Sequence, residues 1–224
     1  MKVTTDGCLF GAWIVERLRN RISGTCKVLD IGTGTGLLSM MLSQENTMAV
    51  DAVEIDKDAF EQATENVAAC RWNGSINVIH GDAMNFESSD QYDIIISNPP
   101  FYETELKGDD TKKNLAHHNE GLLLPGLLRI IKKNLKPDGS FYLLLPYKRN
   151  EEVKKMFFEN ELAIQQLTFV RQSVRHDYFR ILLEGKLKTA EPIETTMDEI
   201  SIKDGDNQYT PSFVNLLKDF YLHL

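Results

Sequence analysis

The most regular feature of the sequence is an alternation of short apolar runs with segments whose apolar residues recur every three or four positions. The apolar runs in the first two thirds of the chain cover residues 27–31, 49–55, 76–80, 92–97 and 140–145. Nearly continuous apolar runs of this length are typical of parallel strands that are covered on both faces. Their alternation with helical segments therefore predicts βαβ units and a mostly parallel sheet.

The segments between these runs have the periodicity of amphipathic helices, and we predict helices over residues 37–44, 57–70 and 122–134. The Lys-Pro-Asp-Gly sequence at 136–139 then predicts the end of the third helix and a turn into the fifth strand.

After residue 146 the pattern changes. A helix over 151–160 leads into two strands, 163–171 and 178–187, and their short connection predicts an antiparallel hairpin. The predicted fold class is therefore α/β, with a Rossmann-like, seven-stranded, mostly parallel sheet, an antiparallel C-terminal hairpin and helices on both faces. We expect one domain over 1–188 and a C-terminal extension over 189–224, which is predicted to contain a strand at 199–203 and an amphipathic helix at 211–222 and to pack on the domain.

A glycine-rich turn follows the first predicted strand and precedes a helix. Glycines allow the backbone to turn sharply and to approach a ligand closely. A dinucleotide fingerprint requires G-x-G-x-x-G, but the position that would hold its third glycine is occupied by Leu37. The spacing D-x-G-x-G-x-G instead resembles the first motif of S-adenosylmethionine-dependent methyltransferases. The resemblance implies a class I methyltransferase fold and S-adenosyl-L-methionine as cofactor. It also implies that Asp30 organises the turn and reaches the methionine amino group, while the backbone of Gly32, Thr33, Gly34 and Gly36 faces the cofactor.

Acidic residues follow the next two strands. Glu54 ends the second strand about 20 residues after the glycines, where a carboxylate can accept hydrogen bonds from ribose hydroxyls. In the methyltransferase family the next residue, here Ile55, packs on the adenine. We expect Asp56 to cap the following helix. The family resemblance assigns Asp82, followed by Ala83, to the adenine amino group, and the alternative for Asp82 is a turn residue.

The segment Asn98-Pro99-Pro100-Phe101 follows the fourth strand, at the same edge of the predicted sheet. It resembles the signature of methyltransferases that act on planar amino groups. An exocyclic amine is a poor nucleophile because its lone pair is delocalised into the ring. The Asn98 side-chain carbonyl and the Pro99 backbone carbonyl would each accept one N–H bond and so orient the amine. Pro100 would stiffen the loop, and Phe101 would stack on the base. A rigid loop is the alternative for this segment taken alone.

Both ends of the chain extend the resemblance to one family, the bacterial tRNA1(Val) adenine N6-methyltransferases, which modify the adenine beside the anticodon. The opening M-K-V-T-T-D-G-C-L-F-G-A-W and the closing Y-T-P-S-F and L-L-K-D-F-Y-L segments are similar to those of the family. The opening segment borders the cofactor in that family, which makes Thr5 and Asp6 candidate contacts. The resemblance implies a tRNA substrate and transfer of a methyl group to N6 of adenine.

Two features depart from the family. Its members usually carry further residues before the M-K-V segment. The resemblance therefore leads us to expect that an RNA-contacting or lid segment is missing from this sequence. They also often carry Ala-Arg-His where this chain has Ala116-His117-His118, so an arginine is absent there.

Charge and composition add several expectations. The net charge is −8, but residues 100–188 carry +4 between acidic flanks, which leaves room for a local basic face. Candidate phosphate contacts are Lys107, Lys112, Lys113, Lys148, Arg149, Arg171, Arg175 and Arg180, and ordinary solvated charges are the alternative for each. The three cysteines form no CxxC pair, no residues have a metal-ligand spacing, and no long apolar run occurs. We therefore expect a cytoplasmic protein that binds no metal and does not contact a membrane. We expect a monomer without an obligate protein partner.

Alternatives remain open within and beyond the methyltransferases. One alternative is a methyltransferase with the same target motif that acts on guanine N2 of ribosomal RNA, on DNA adenine or on a protein glutamine. A nicotinamide-dependent oxidoreductase is another, although Leu37 and the Asn98 segment count against it. An inactive cofactor-binding subunit is the third.

Overall fold

A single eight-stranded sheet forms the centre of the computed structural model, which describes residues 3–19, 21–22, 24–45, 47–99 and 124–223. The strands are β1 Cys26–Ile31, β2 Met48–Glu54, β3 Ile76–His80, β4 Tyr92–Ser97, β5 Leu135–Pro146, β6 Leu162–Ser173, β7 Tyr178–Leu187 and β8 Thr196–Lys203. Their order across the sheet is β3-β2-β1-β4-β5-β7-β6-β8.

Only β7 runs antiparallel to its neighbours among these strands, because it forms a hairpin with β6 and pairs antiparallel with β5. The α/β class, the mostly parallel sheet and the C-terminal hairpin are thus confirmed. The sheet has eight strands rather than seven because the strand predicted for the C-terminal extension pairs with β6 in parallel and becomes the edge strand.

Six α-helices are present among the described residues: α1 Thr5–Leu18, α2 Leu37–Leu42, α3 Lys57–Ala69, α4 Leu124–Asn134, α5 Asn150–Glu159 and α6 Pro211–Leu217. Two apolar cores cover the faces of the sheet. One contains residues of α1, α2 and α6, and the other contains residues of α4 and α5. None of the described helices is long and apolar enough to cross a membrane.

Three elements differ from the sequence-based expectation. Helix α1 was not predicted. β5 begins at Leu135, and residues 136–139 form an irregularity against β4 instead of a turn before the strand. Gly139 is needed there, since a Cβ at this position would lie 2.9 Å from the carbonyl oxygen of Asp93. Helix α6 ends at Leu217, and the chain then turns so that Phe220 and Tyr221 pack against the same core as α1.

Candidate active site

The strand order fixes where a ligand can bind. β1 and β4 are neighbours, but α2 after β1 and α4 after β4 pack on opposite faces of the sheet. A crevice forms at the carboxyl ends of parallel strands where the chain diverges in this way. The Ser97 hydroxyl donates a hydrogen bond of 2.8 Å to the carbonyl oxygen of Ile31, which ties the two strand ends together.

The glycine-rich turn lies at this crevice. Gly32, Gly34 and Gly36 have φ angles of 71°, 60° and 79°, a region that favours glycine because other residues would be strained there. The backbone N–H groups of Gly32 and Thr33 donate to the carbonyl oxygen of Val53, at 2.9 and 3.1 Å. The turn is therefore anchored to the end of β2, and Gly36 is the N-cap of α2.

Asp30 lies fully buried beneath the turn. Its Oδ2 atom accepts hydrogen bonds from the hydroxyls of Thr33, at 2.6 Å, and Ser39, at 2.7 Å. Its Oδ1 atom is buried and has no hydrogen-bond partner among the described residues. Burial raises the pKa of Asp30 to about 6, although the two hydroxyls oppose the shift. An uncompensated buried oxygen of this kind is the expected acceptor for a ligand's N–H group.

Glu54 closes the turn from the neighbouring strand. It is buried, its Oε2 atom accepts from the backbone N–H of Gly34 at 2.8 Å, and its Oε1 atom accepts from the N–H of Asp56 at 2.9 Å. A carboxylate has about four acceptor positions, so two remain for ribose hydroxyls. Ile55 follows and is 64% exposed, which leaves its side chain available to an adenine ring. Asp56 caps α3 through the N–H of Ala59, as predicted.

Asp82 lies after β3, at the same edge of the sheet. Its carboxylate accepts from the backbone N–H of Met84 at 2.8 Å and from the Asn85 side chain at 3.1 Å. These contacts are those of the turn residue considered as its alternative. Ala83 is half-buried, and Met84 is 40% exposed beside it. An adenine contact of Asp82 therefore remains a prediction, and Met84 is an apolar neighbour that the sequence did not single out.

The target segment begins directly after β4. Asn98 is exposed and Pro99 is buried, so the amide side chain is presented from a firmly packed backbone. Pro100 and Phe101 lie outside the described residues, as do Lys107, Lys112, Lys113 and the 116–118 segment. Of the four predicted catalytic residues, the structure therefore places two.

The first turn of α1, residues 5–8, lies beside Asn98. A Cβ built on Gly7 would lie 3.9 Å from the Asn98 Nδ2 atom and 3.7 Å from Leu37 at the start of α2. Thr5 is exposed, and the Asp6 carboxylate is bound by the Arg180 guanidinium at 2.8 Å. Burial alone would raise the pKa of Asp6, but hydrogen bonds from Thr4 and Arg180 outweigh it and hold the pKa below its usual value. The Asp6 carboxylate is thus paired with Arg180 within the protein.

Several of the predicted phosphate contacts have acidic partners within the chain. Arg149 pairs with Glu152 at 2.6 Å, and Arg171 pairs with Glu199 at the same distance. Arg180 pairs with Asp6, as described, while Arg175 is exposed at the turn that follows β6. The positive charge counted along the chain is therefore largely compensated in space at these positions, and RNA contacts by them remain a prediction.

The residues at the crevice fit S-adenosylmethionine. The oxygen of Asp30 that has no hydrogen-bond partner suits the ammonium group of the cofactor, and the backbone at the glycines allows the methionine part of the cofactor to lie close. Glu54 retains acceptor positions, and Ile55 offers an apolar surface. No group of three or more potential metal-ligating side chains occurs in the part of the chain that the structure describes.

Solved structures confirm the fold. A protein from Agrobacterium tumefaciens described as a predicted O-methyltransferase matches with a TM-score of 0.70 at 15% identity, over 94% of both chains. The glycopeptide N-methyltransferase MtfA, solved in complex with S-adenosyl-L-methionine, matches with a TM-score of 0.57 at 12% identity, over 79% of this chain and 94% of its own. At these identities the likeness shows the fold alone.

Sequence comparison is more specific. Residues 11–165 match the family described as the methyltransferase small domain. A relative from Dyadobacter fermentans is 39% identical over 228 residues, which cover 99% of this chain and 91% of the relative. A relative from Parabacteroides distasonis is 36% identical over 227 residues, which cover 100% of this chain and 92% of the relative. Both are named tRNA1(Val) (adenine(37)-N6)-methyltransferase, and with the domain match they show that this chain belongs to that family of methyltransferases.

Proposed function

We propose that this chain transfers the methyl group of S-adenosylmethionine to the N6 amine of an adenine in tRNA, the reaction named for its relatives. The observation that carries the proposal is the position of Asn98. Its exposed amide follows a strand end that is hydrogen-bonded to the end of β1, and it borders the first turn of α1 beside the glycine turn. A planar amine held there would face the methyl donor.

Three residues at the crevice would bind the cofactor. Asp30 would accept a hydrogen bond from the cofactor's amino group, Glu54 would accept from the ribose hydroxyls, and Ile55 would pack on the adenine ring. The cofactor supplies an electrophilic methyl group. These contacts would give charge complementarity at the ammonium end and apolar contact at the adenine end, and together they would determine the direction in which the cofactor lies.

Catalysis would then depend on orientation. The Asn98 side-chain oxygen and the Pro99 carbonyl oxygen would each accept one N–H bond of the target amine. Two such bonds hold the nitrogen lone pair toward the methyl carbon, which is an entropic and electrostatic contribution rather than proton transfer in the transition state. Pro99 is buried, its ring fixes φ, and a residue that precedes a proline is restricted in ψ, so its carbonyl would keep one direction.

Substrate choice separates the proposal from its alternatives. Purified chain and tritiated S-adenosylmethionine are incubated with unmodified total tRNA, ribosomal RNA, DNA and a release factor, and methylated nucleosides are identified by mass spectrometry. We expect N6-methyladenosine in tRNA. If only ribosomal RNA, DNA or the release factor is methylated, that molecule is the substrate and the proposal of tRNA is wrong. Activity on tRNA in the reaction without release factor would also support the absence of an obligate protein partner, and we include a monomeric state in the proposal.

A variant tests the role of Asn98. We expect Asn98→Ala to lower methyl transfer by at least about 100-fold, the effect typical of losing a transition-state hydrogen bond, while calorimetry shows an unchanged affinity for S-adenosylhomocysteine. Asn73→Ala, which changes an exposed asparagine between α3 and β3, is the matched control and should keep full activity. Normal activity of Asn98→Ala, or binding of NAD in place of S-adenosylhomocysteine, would contradict the mechanism.

A further inference from the structure

Three aromatic side chains at one end of the sheet have no part in the proposed chemistry. Tyr147 directly follows β5, Phe169 lies near the end of β6, and Tyr178 begins β7. Their rings contact one another, with centroids 5.2 Å apart for Tyr147 and Tyr178 and 5.5 Å apart for the two pairs that include Phe169. All three side chains are half-buried, so they form one aromatic surface, which we call the aromatic cluster.

The aromatic cluster lies at the edge of the sheet that carries the target segment. β5 and β6 run parallel to β4 while β7 runs antiparallel, so the ends of β5 and β6 and the start of β7 share the edge at which Asn98 follows β4. Ser97 pairs with Leu143, and β5 continues for three more residues, roughly 10 Å, before Tyr147. The cluster therefore begins one strand away from the target segment and extends beyond it.

A bulge in the hairpin turns Tyr178 into the cluster. Tyr178 and Arg180 are two residues apart and would share a face in a regular strand. Arg180 instead binds Asp6 of α1, whereas Tyr178 contacts Phe169, which packs against the core on the other face. The register shift between β6 and β7 at this point separates the two side chains. Bulges near active sites commonly redirect a side chain in this way.

A cation and a carboxylate lie at the rim of the aromatic cluster. The Arg171 guanidinium is 5.6 Å from the centre of the Tyr178 ring, where ring and cation attract each other. Arg171 also donates to Glu199 at 2.6 Å and to the Ser201 hydroxyl at 2.7 Å, and the Tyr178 hydroxyl donates to Glu199. Glu199 is 47% exposed, and exposed ion pairs are weak, so an RNA phosphate could replace it on Arg171.

Aromatic faces beside a guanidinium have the chemistry that binds unpaired bases of RNA. Such bases stack on aromatic rings, while cationic side chains contact the phosphates. An adenine that is methylated on N6 must leave the stack of its neighbours, and the base next to it then loses a stacking partner as well. A stacking surface beside the target segment would compensate for that loss.

We propose that the aromatic cluster binds a base of the RNA adjacent to the target adenine by stacking, and that Arg171 contacts a phosphate at its rim. The inference rests on the proposed function for the class of substrate. It assigns RNA binding to the ends of β5 and β6 and the start of β7, which contribute nothing to the cofactor crevice.

Binding of a fluorescently labelled RNA stem-loop with unpaired adenines tests the inference, with anisotropy measured at several salt concentrations. Tyr178→Leu keeps an apolar side chain but removes the aromatic face, and Tyr178→Phe keeps that face. Phe158→Leu is the matched control, because Phe158 also has a cation over its ring, Lys188 at 5.3 Å, but this pair lies where β7 ends, at the opposite edge of the sheet. Calorimetry with S-adenosylhomocysteine reports on the cofactor site.

We expect Tyr178→Leu to weaken RNA binding about five- to tenfold, with an unchanged salt dependence because stacking releases no counterions. Tyr178→Phe and Phe158→Leu should bind the stem-loop like the parent protein. Arg171→Gln should weaken binding and reduce the slope of log affinity against log salt by about one. All four variants should keep the affinity of the parent for S-adenosylhomocysteine.

Photocrosslinking of the unaltered protein gives a second measurement that does not depend on how a variant folds. A stem-loop with iodouridine in its loop is irradiated in complex with the protein, and the attached residue is identified by mass spectrometry. We expect crosslinks to Tyr147, Phe169 or Tyr178, since the excited base reacts with an aromatic ring on which it stacks.

Unchanged RNA affinity in Tyr178→Leu would overturn the inference, as would an equal loss in Phe158→Leu, crosslinks only outside the aromatic cluster, or no RNA binding by the parent protein. An equal loss of S-adenosylhomocysteine affinity in Tyr178→Leu would assign Tyr178 a structural role and count equally against it. If these measurements come out as expected but only ribosomal RNA or DNA is methylated, the proposed tRNA substrate fails while the role of the aromatic cluster stands.

Discussion

Affinity for S-adenosylhomocysteine should fall as the pH drops through 6, because of the unusual environment of Asp30. Burial raises the pKa of this carboxyl group to about 6, against the opposing hydrogen bonds from Thr33 and Ser39. Its free oxygen is the proposed partner of the ligand's ammonium group. Only the ionised carboxylate pairs with an ammonium, so protonation of Asp30 and ligand binding exclude each other.

The magnitude follows from the fraction of protein that is competent to bind. With a pKa of about 6, Asp30 is almost fully ionised at pH 7.5 but only about one molecule in eleven is ionised at pH 5. Apparent Kd scales inversely with that fraction, so it should rise roughly tenfold between these two conditions, or about 1.4 kcal/mol. The sign is fixed by the raised pKa: the free protein holds a proton below pH 6, and binding must release it.

Calorimetric titrations across this range, repeated in buffers of different ionisation enthalpy, measure both Kd and the number of protons released. His80→Gln is the control, because His80 ends β3 near the proposed adenine side. That variant should keep the pH dependence, whereas Asp30→Asn should bind weakly at every pH. An affinity that is constant from pH 7.5 to pH 5, or a decline that persists in Asp30→Asn, would refute the proposed role of Asp30.

Two further predictions concern the scaffold. Gly185→Ala should destabilise the protein by about 1–3 kcal/mol or more, because its Cβ would lie 2.2 Å from the Phe141 ring on the neighbouring strand, and denaturant unfolding measures this. An unfolding free energy within error of the parent would show that Phe141 has room to move. Glu184→Gln should cost about 3–5 kcal/mol by the same measurement, since it leaves Arg17 without its buried carboxylate. A loss below about 1 kcal/mol would indicate that the pair is effectively solvated.

The parallel strands and the glycine turn could be predicted because their signals are local. A strand buried on both faces is apolar throughout, and a turn with three positive φ angles requires glycines at those positions. The outcome for Asp56 shows the same principle, since a capping carboxylate acts on an N–H three residues away. Where the determining contact lies within a few residues, the sequence is sufficient.

Helix α1 could not be predicted in the same way, for a physical reason. Residues 7–15 are all buried between the sheet, α2 and α6, so the helix has no polar stripe and no apolar period. It also contains Gly11, a poor helix former that leaves space for Met41, since a Cβ there would lie 2.5 Å from the Met41 sulfur. The available signal was its start, where Thr4 is the N-cap and Asp6 lies in the first turn.

Charge at the candidate RNA surface shows where counting residues fails and energetics must decide. Arg149 and Arg171 pair with carboxylates that are about half exposed, and exposed pairs contribute only about 0–1 kcal/mol. A phosphate could therefore replace either partner at little cost. The Asp6 partner of Arg180 is largely buried, and removing Arg180 from it would leave a carboxylate without compensation. It follows that Arg149 and Arg171 are better candidates for RNA contact than Arg180, whose carboxylate partner is largely buried.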